Sequence, residues 1–253
     1  MLNQLREHAQ RAADHAFTPF SGEPRAAAAL LSDGRWVCGV RVESASFSLV
    51  IPALTAAFSI CSSAGRRDIA AVALSGPARP YEKAFLAGTF AGPPADRSPD
   101  IFTFGQLPST MTSRLPLRAS CPDAFSAEAG VALARKAATS AYTPLSGFPV
   151  GCVITAAGGL FYSGSNMEHA DWARTICAER SAIAAAVSDG AYELDALYLT
   201  CLKDPIGTPC GACRQLIAER LPDAKIWMDR GIRPPERTTP AALLPGAFTG
   251  RGL

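Results

Sequence analysis

Apolar residues recur at helical spacing in some stretches of this chain and gather into short β-leaning runs in others, and the succession is easiest to follow in the second half. Residues 127–140 are alanine-rich with apolar positions at helical spacing and predict a helix. Residues 150–155 and 160–165 are β-leaning runs either side of Gly158-Gly159, which predicts a hairpin. Thr175 is placed to cap a helix running to Asp189 and closed by Gly190. Residues 194–202 form a buried-strand candidate. Pro209 suits the start of a further helix ending before Pro222, residues 225–228 suit a short strand, and Thr239-Pro240 opens a terminal helical turn.

The first half carries the same framework. Ala16-Phe17-Thr18-Pro19-Phe20-Ser21-Gly22 is echoed by Ala141-Tyr142-Thr143-Pro144-Leu145-Ser146-Gly147 at an offset of 125. The register holds onward, pairing Gly34 with Gly159, Gly39 with Gly164, Glu43 with Glu168 and Ala45 with Ala170. The expectation is two copies of one fold. The Pro/Gly-rich stretch 89–122 separates them, with a surface excursion at 92–99, and the expected division is 1–118 and 119–253.

Composition adds bounds. Of 253 residues, 48% are hydrophobic and 18% charged, as in a core-forming globular protein. With 24 basic against 22 acidic residues, the charge of +2 gives no general electrostatic case for nucleic acid or an acidic membrane. The opening residues lack a signal-peptide pattern and no apolar run approaches bilayer length, so a cytoplasmic protein is expected. Cys38, Cys61, Cys121, Cys152 and Cys201 lie among apolar or small residues and read as packing thiols.

The other three cysteines carry chemistry. Cys177-Ala178-Glu179-Arg180 is followed by Pro209-Cys210-Gly211-Ala212-Cys213-Arg214. Three thiolates and a carboxylate that is not a ligand suit catalytic rather than structural zinc, because a structural site closes with four protein ligands. The pattern is one already known for zinc deaminases. Helix N-termini at Cys177 and Cys210 would favour the ionised thiol. Arg180 would either offset the negative centre through hydrogen bonds to sulfur or face solvent. In the first copy Pro52, Leu54, Tyr81 and Ala84 stand opposite Cys177, Glu179, Cys210 and Cys213, so that copy is expected to be zinc-free at this position.

These residues resemble the three-cysteine cytidine deaminases of pyrimidine salvage. The resemblance runs through Phe148-Pro149-Val150-Gly151, Gly164-Ser165-Asn166-Met167-Glu168, both cysteine motifs and the tail Leu243-Leu244-Pro245-Gly246-Ala247-Phe248. It implies an α/β fold, a three-layer α-β-α arrangement with a mixed sheet, here present twice, and one Zn2+ per chain in the C-terminal repeat. It implies that Cys177, Cys210 and Cys213 bind zinc and that Glu179 moves protons between water, pyrimidine N3 and the leaving ammonia. Phe148 would pack on base or sugar, Asn166 and Glu168 would bind ribose hydroxyls, and the Ala178 backbone would address the base edge. Phe248 resembles an aromatic that reaches a neighbouring subunit's site. Phe148 could instead be core, and Phe248 a simple anchor.

Two departures bear on substrate. His169 stands where the family commonly has asparagine, and Trp172 lies near a frequent tyrosine. His169 is open to a substrate contact, a neighbour contact or plain packing. The expected reaction is hydrolytic deamination of cytidine or deoxycytidine. The alternatives are a modified pyrimidine nucleoside or nucleoside-like antibiotic as substrate, or a non-catalytic zinc-stabilised nucleoside-binding module. The expected assembly is a homodimer of four repeats, with no nucleic-acid or membrane partner.

Overall fold

The structure, a computed structural model, describes residues 1–120 and 125–250; Cys121 lies outside the described residues. The first half contains helix α1 (Leu2–Ala12), strands β1 (Ala26–Leu31) and β2 (Trp36–Val40), helix α2 (Ala53–Ser63), β3 (Ile69–Leu74), α3 (Pro80–Leu86), β4 (Ala95–Ser98) and β5 (Ile101–Thr103). The second contains β6 (Arg118–Ser120), α4 (Ala127–Ala138), β7 (Gly151–Ala156), β8 (Leu160–Ser165), α5 (Ala178–Ser188), β9 (Leu194–Thr200), α6 (Gly211–Arg220), β10 (Lys225–Asp229), β11 (Glu236–Thr238) and α7 (Pro240–Leu243). The starts of α1 and α4, β1 and β7, and α2 and α5 all stand 125 residues apart.

Two sheets result, in the orders β2-β1-β3-β5-β4 and β11-β10-β9-β7-β8-β6. Helix α1 covers the outer face of the first and α4 the outer face of the second, while α2 and α5 pack against each other between them. Both faces of the central strands are therefore dry, which is why β1 and β7 are buried at every position. Along β1, Ala27, Ala29 and Leu31 enter the central core, whereas Ala28 and Leu30 meet Leu5 and Ala9 of α1. In β7, Cys152 and Ile154 face the centre and Val153 faces Val131 and Ala134 of α4.

Glycines set how closely the central helices approach. A Cβ on Gly39 of β2 would stand 2.1 Å from the Ala57 amide nitrogen of α2. One on Gly164 of β8 would stand 2.3 Å from the Ala178 carbonyl oxygen of α5. The two glycines are equivalent in the repeat, and each seats its own repeat's helix.

A mixed sheet is present once, not twice. In the second sheet β9 and β10 run parallel, because the ten-residue α6 carries the chain back before β10 begins. In the first, the seven-residue α3 is followed by a segment that reaches the sheet edge as β4, and β5 then folds back between β4 and β3. Every pairing there is antiparallel. The expected surface excursion at 92–99 accordingly contains β4. The segment between the halves touches both sheets: Trp36 donates its amide to the Ser113 carbonyl at 3.2 Å, Leu115 donates to the Trp36 carbonyl at 2.7 Å, and β6 pairs with β8.

Candidate metal centre and active site

Helix α5 begins two residues later than a cap at Thr175 would place it. An antiparallel bridge between Met167 and Ile176 keeps the chain extended, so Cys177 becomes the N-cap, with φ −75° and ψ 160° and no side-chain cap bond. Cys210 is likewise the N-cap of α6, extended at φ −65° and ψ 166°, so Pro209 lies just outside the helix. Cys213 follows in the first turn of α6. Two helix N-termini, each with unpaired amides and a positive dipole end, thus converge on the thiols.

The sulfurs of Cys177, Cys210 and Cys213 all lie within 4.8 Å of one another, and this is the single group able to hold a metal ion among the described residues. The Cys177 and Cys210 sulfurs are 3.7 Å apart. Zinc–sulfur bonds of about 2.3 Å at tetrahedral angles require sulfurs roughly 3.8 Å apart. The spacing and the soft donor set fit zinc. Cys210 is held well below the usual thiol range by hydrogen bonds from Cys177 and Cys213, aided by the Cys213 and Ala212 amides, while Cys213 is raised well above it. Cys210 is the outward-facing member of the cluster.

Glu179, the second residue of α5, is 3% exposed and lies in the wall of a cavity of about 430 Å3 that also receives Cys177 and Cys210. Burial pushes its carboxyl up to about 7. A carboxyl of that kind exchanges its proton near neutrality, as general acid–base chemistry requires. The cavity volume is in the range of small-molecule sites.

A sequence model of the cytidine and deoxycytidylate deaminase zinc-binding region matches residues 126–227, and a second of the same description matches residues 2–75. The cytidine deaminase of Sporosarcina psychrophila is 41% identical over 124 residues, 49% of this chain and 91% of that protein. This chain belongs to the cytidine deaminase family. The cytidine deaminase of Halalkalibacterium halodurans is 38% identical over 47% of this chain and 90% of its own length. A crystal structure of cytidine deaminase from Burkholderia pseudomallei is 31% identical, covers 49% of this chain and 100% of its own, and has a TM-score of 0.47.

Within this family member the cavity is lined by Phe148, Asn166, Glu168, Trp172 and Ala178 as well as the groups above. Asn166 accepts the Val150 amide at 2.8 Å and donates to the Phe148 carbonyl at 2.9 Å, so its amide fixes the approach to β7 on which Phe148 sits. Glu168 is buried and accepts the amides of Leu145, at 2.6 Å, and Ser146, at 3.2 Å, together with the Ser146 hydroxyl. Glu43 does the same in the first repeat, taking the amides of Phe20 and Ser21 and pairing with Arg41. Ala178 is the first residue of α5, where an amide has no intrahelical partner.

One sequence expectation changes, that for Arg180. Arg180 forms no hydrogen bond to sulfur and is not a solvent-facing side chain. It donates to the carbonyls of Leu49, at 3.0 Å, and Val50, at 3.3 Å, because the first repeat's turn is packed against α5. Phe248 does not reach the cavity of its own chain. It lies beside Phe17 and Phe20 of the first repeat, and its carbonyl accepts from Gln215 at 2.6 Å. His169 points away from the cavity into the contact between repeats, where Phe85 receives it. Trp172, 61% exposed, stays at the cavity mouth.

Sequence reasoning passed over the connection between β9 and α6. Asp204, Gly207 and Thr208 line the cavity there, and Arg214 ties the segment down by donating to the Pro209 carbonyl and the Thr208 hydroxyl. The signal available was Arg214 in the second cysteine motif. Of the remaining thiols, Cys38, Cys61, Cys152 and Cys201 are buried as expected. No helix among the described residues is long and apolar enough to cross a membrane.

Proposed function

We propose that this chain hydrolytically deaminates cytidine and deoxycytidine to the corresponding uridines with release of ammonia. One zinc ion per chain would be held by Cys177, Cys210 and Cys213 in the C-terminal repeat. The observation that carries this reading is Glu179, a buried carboxyl raised to about 7 in the same cavity wall as the thiols. A purely structural metal site has no use for such a proton carrier, which disfavours the non-catalytic module.

When bound, zinc lowers the pKa of a coordinated water and so supplies hydroxide near neutral pH. Glu179 takes the proton that the attacking water gives up and delivers it to pyrimidine N3; it then takes the second proton from the hydroxyl formed on C4 and hands it to the amine, which leaves as ammonia while C4 becomes a carbonyl. Water and cytidine are consumed, and uridine and ammonia are released. Phe148 packs on base or sugar, and the Ala178 backbone addresses the base edge. Asn166 and Glu168 serve the ribose hydroxyls; a carboxylate offers about four acceptor sites, so Glu168 keeps capacity beyond its bonds to the 145–146 turn. The modified-nucleoside alternative drew on His169 and Trp172, and only Trp172 lines the cavity. An absorbance assay for cytidine loss with metal analysis of the same sample tests the reading; zinc without turnover of any pyrimidine nucleoside contradicts it.

The repeats divide at 1–118 and 119–253 in this reading, and the first binds no zinc at the equivalent position. Two chains would associate as a homodimer of four repeats. In support, Phe47 and Trp172, equivalent in the repeat, are 89% and 61% exposed on matching turns that association would cover. A solution mass of one chain at full activity contradicts the dimer. Free thiols throughout the described residues suit a reducing cytoplasm and a role in pyrimidine salvage.

A further inference from the structure

The loop that delivers Cys177 to the metal centre is laid along α3 of the other repeat. Arg174 donates to the Tyr81 carbonyl at 3.0 Å, His169 Nε2 meets the Phe85 carbonyl at 2.8 Å, and the Ala170 amide donates to the Gly88 carbonyl at 3.4 Å. Tyr81, Phe85 and Gly88 follow the i, i+4, i+7 spacing of one helical stripe continued past the helix end. Phe85 lies in the last turn of α3, where carbonyls lack i+4 partners and carry the negative end of the dipole, so its carbonyl takes the imidazole as well as the Gly88 amide at 3.2 Å. Helix α3 is the counterpart of α6, with Tyr81 opposite Cys210. The helix that has no metal ligands therefore offers its backbone to the loop that supplies one.

His169 is the centre of this contact. Its Nδ1 accepts the Asp171 amide at 2.9 Å, which places the ring proton on Nε2 and makes Nε2 the donor to Phe85. The imidazole stacks on the Phe85 ring with centroids 5.0 Å apart. A Cβ on Gly88 would lie 2.5 Å from His169 Cε1, so a larger residue there would push the imidazole out of its seat. The His169 amide also donates to the Thr175 hydroxyl at 3.3 Å, bracing the loop across its own base.

We propose that His169 is a positioning residue for the deamination site. Seated on Phe85 and Gly88, it fixes the loop whose later residues, Trp172 and Thr175, wall the cavity. The zinc-free repeat thereby governs nucleoside binding without touching the reacting atoms. The inference rests on the deaminase reading for its kinetic consequence, and on the contact between α3 and the loop for its structural one.

Three variants of the full chain test it: Gly88→Ala, His169→Phe and His169→Gln. Each is measured for zinc content, steady-state kinetics with cytidine and amide hydrogen exchange over 168–176. Gly88→Ala and His169→Phe are expected to speed exchange at Ala170 and Asp171 by about tenfold or more as the loop opens locally. In both, KM rises about tenfold while kcat stays within about threefold, with zinc unchanged, the pattern of lost binding rather than lost chemistry. In His169→Gln the side-chain amide still donates to Phe85, and KM returns to within about threefold of the parent. Unchanged exchange in both disruptive variants overturns the proposal whatever their activity. Loss of zinc with equal falls in kcat and kcat/KM also overturns it, since the effect would then belong to the metal centre. If the parent chain turns over no cytidine and the variants still loosen the loop, the coupling of α3 to the loop is supported and the deaminase reading is what fails.

Discussion

Glu43 and Glu168 occupy the same place in the two repeats, and each buried carboxylate closes the turn 22–23 residues upstream by accepting two backbone amides and a serine hydroxyl. One copy of this device, at Glu168, lines the cavity; the other, at Glu43, closes its turn away from it. The position therefore has a structural use that precedes any contact with a sugar.

Glu43 isolates that structural use. Burial opposes its ionisation, but the Ser21 hydroxyl and amide, the Phe20 amide and Arg41 outweigh it and hold the carboxyl below its ordinary 4.5. A depressed value means that its contribution is complete above pH 4.5 and is lost as the pH falls through the folded value. Replacing Glu43 by Gln is expected to cost about 2 kcal/mol in urea unfolding at pH 7, as for bonds to charged groups, and to leave zinc content unchanged. The difference from the parent should shrink on acidification below 4.5. The equivalent change at Glu168 is expected to raise KM for cytidine as well.

Gly164→Ala and Gly39→Ala separate the two central helices from their sheets. Each is expected to destabilise by about 3 kcal/mol, the scale of overpacking in a dry core. Gly164→Ala meets the Ala178 carbonyl and the Ala182 amide, in the turn that follows Cys177, so it should also weaken zinc binding. Gly39→Ala meets α2, remote from the thiols, and should not. Competition with a chromogenic chelator distinguishes them.

Chelation is expected to lower the thermal midpoint by removing a ligand of the folded state. Iodoacetamide should then label Cys210 first, because it is exposed and its thiol is held low by its neighbours. Burial pushes Cys38 and Cys61 to about 12, and both should stay unlabelled until the chain unfolds. Mass mapping after brief alkylation at pH 8 reads the order.

The thiol chemistry was legible in the sequence because it is local: two short motifs, each at a helix N-terminus, need only those helices to meet. The helices α4 and α5, the hairpin of β7 and β8, and the repeat register followed from spacing and from glycine positions. What escaped was set by distant partners. Thr175 has the chemistry of a cap, but the bridge from Met167 to Ile176 holds the chain extended through it. Arg180 had a nearby sulfur to bind, yet the other repeat's carbonyls at Leu49 and Val50 take it. The antiparallel first sheet depends on where the chain goes after α3, which no periodicity in 87–94 states. The sequence around His169 suits substrate, neighbour and packing alike, because its partner Phe85 stands 84 residues away.

Glu179→Gln tests the account most directly, assayed for zinc per chain and for cytidine turnover on one preparation. The account predicts one zinc retained, with kcat lowered by about 10²–10⁴ as expected on removing a general acid–base group. Turnover comparable to the parent, or a fully active chain that carries no zinc, would contradict it.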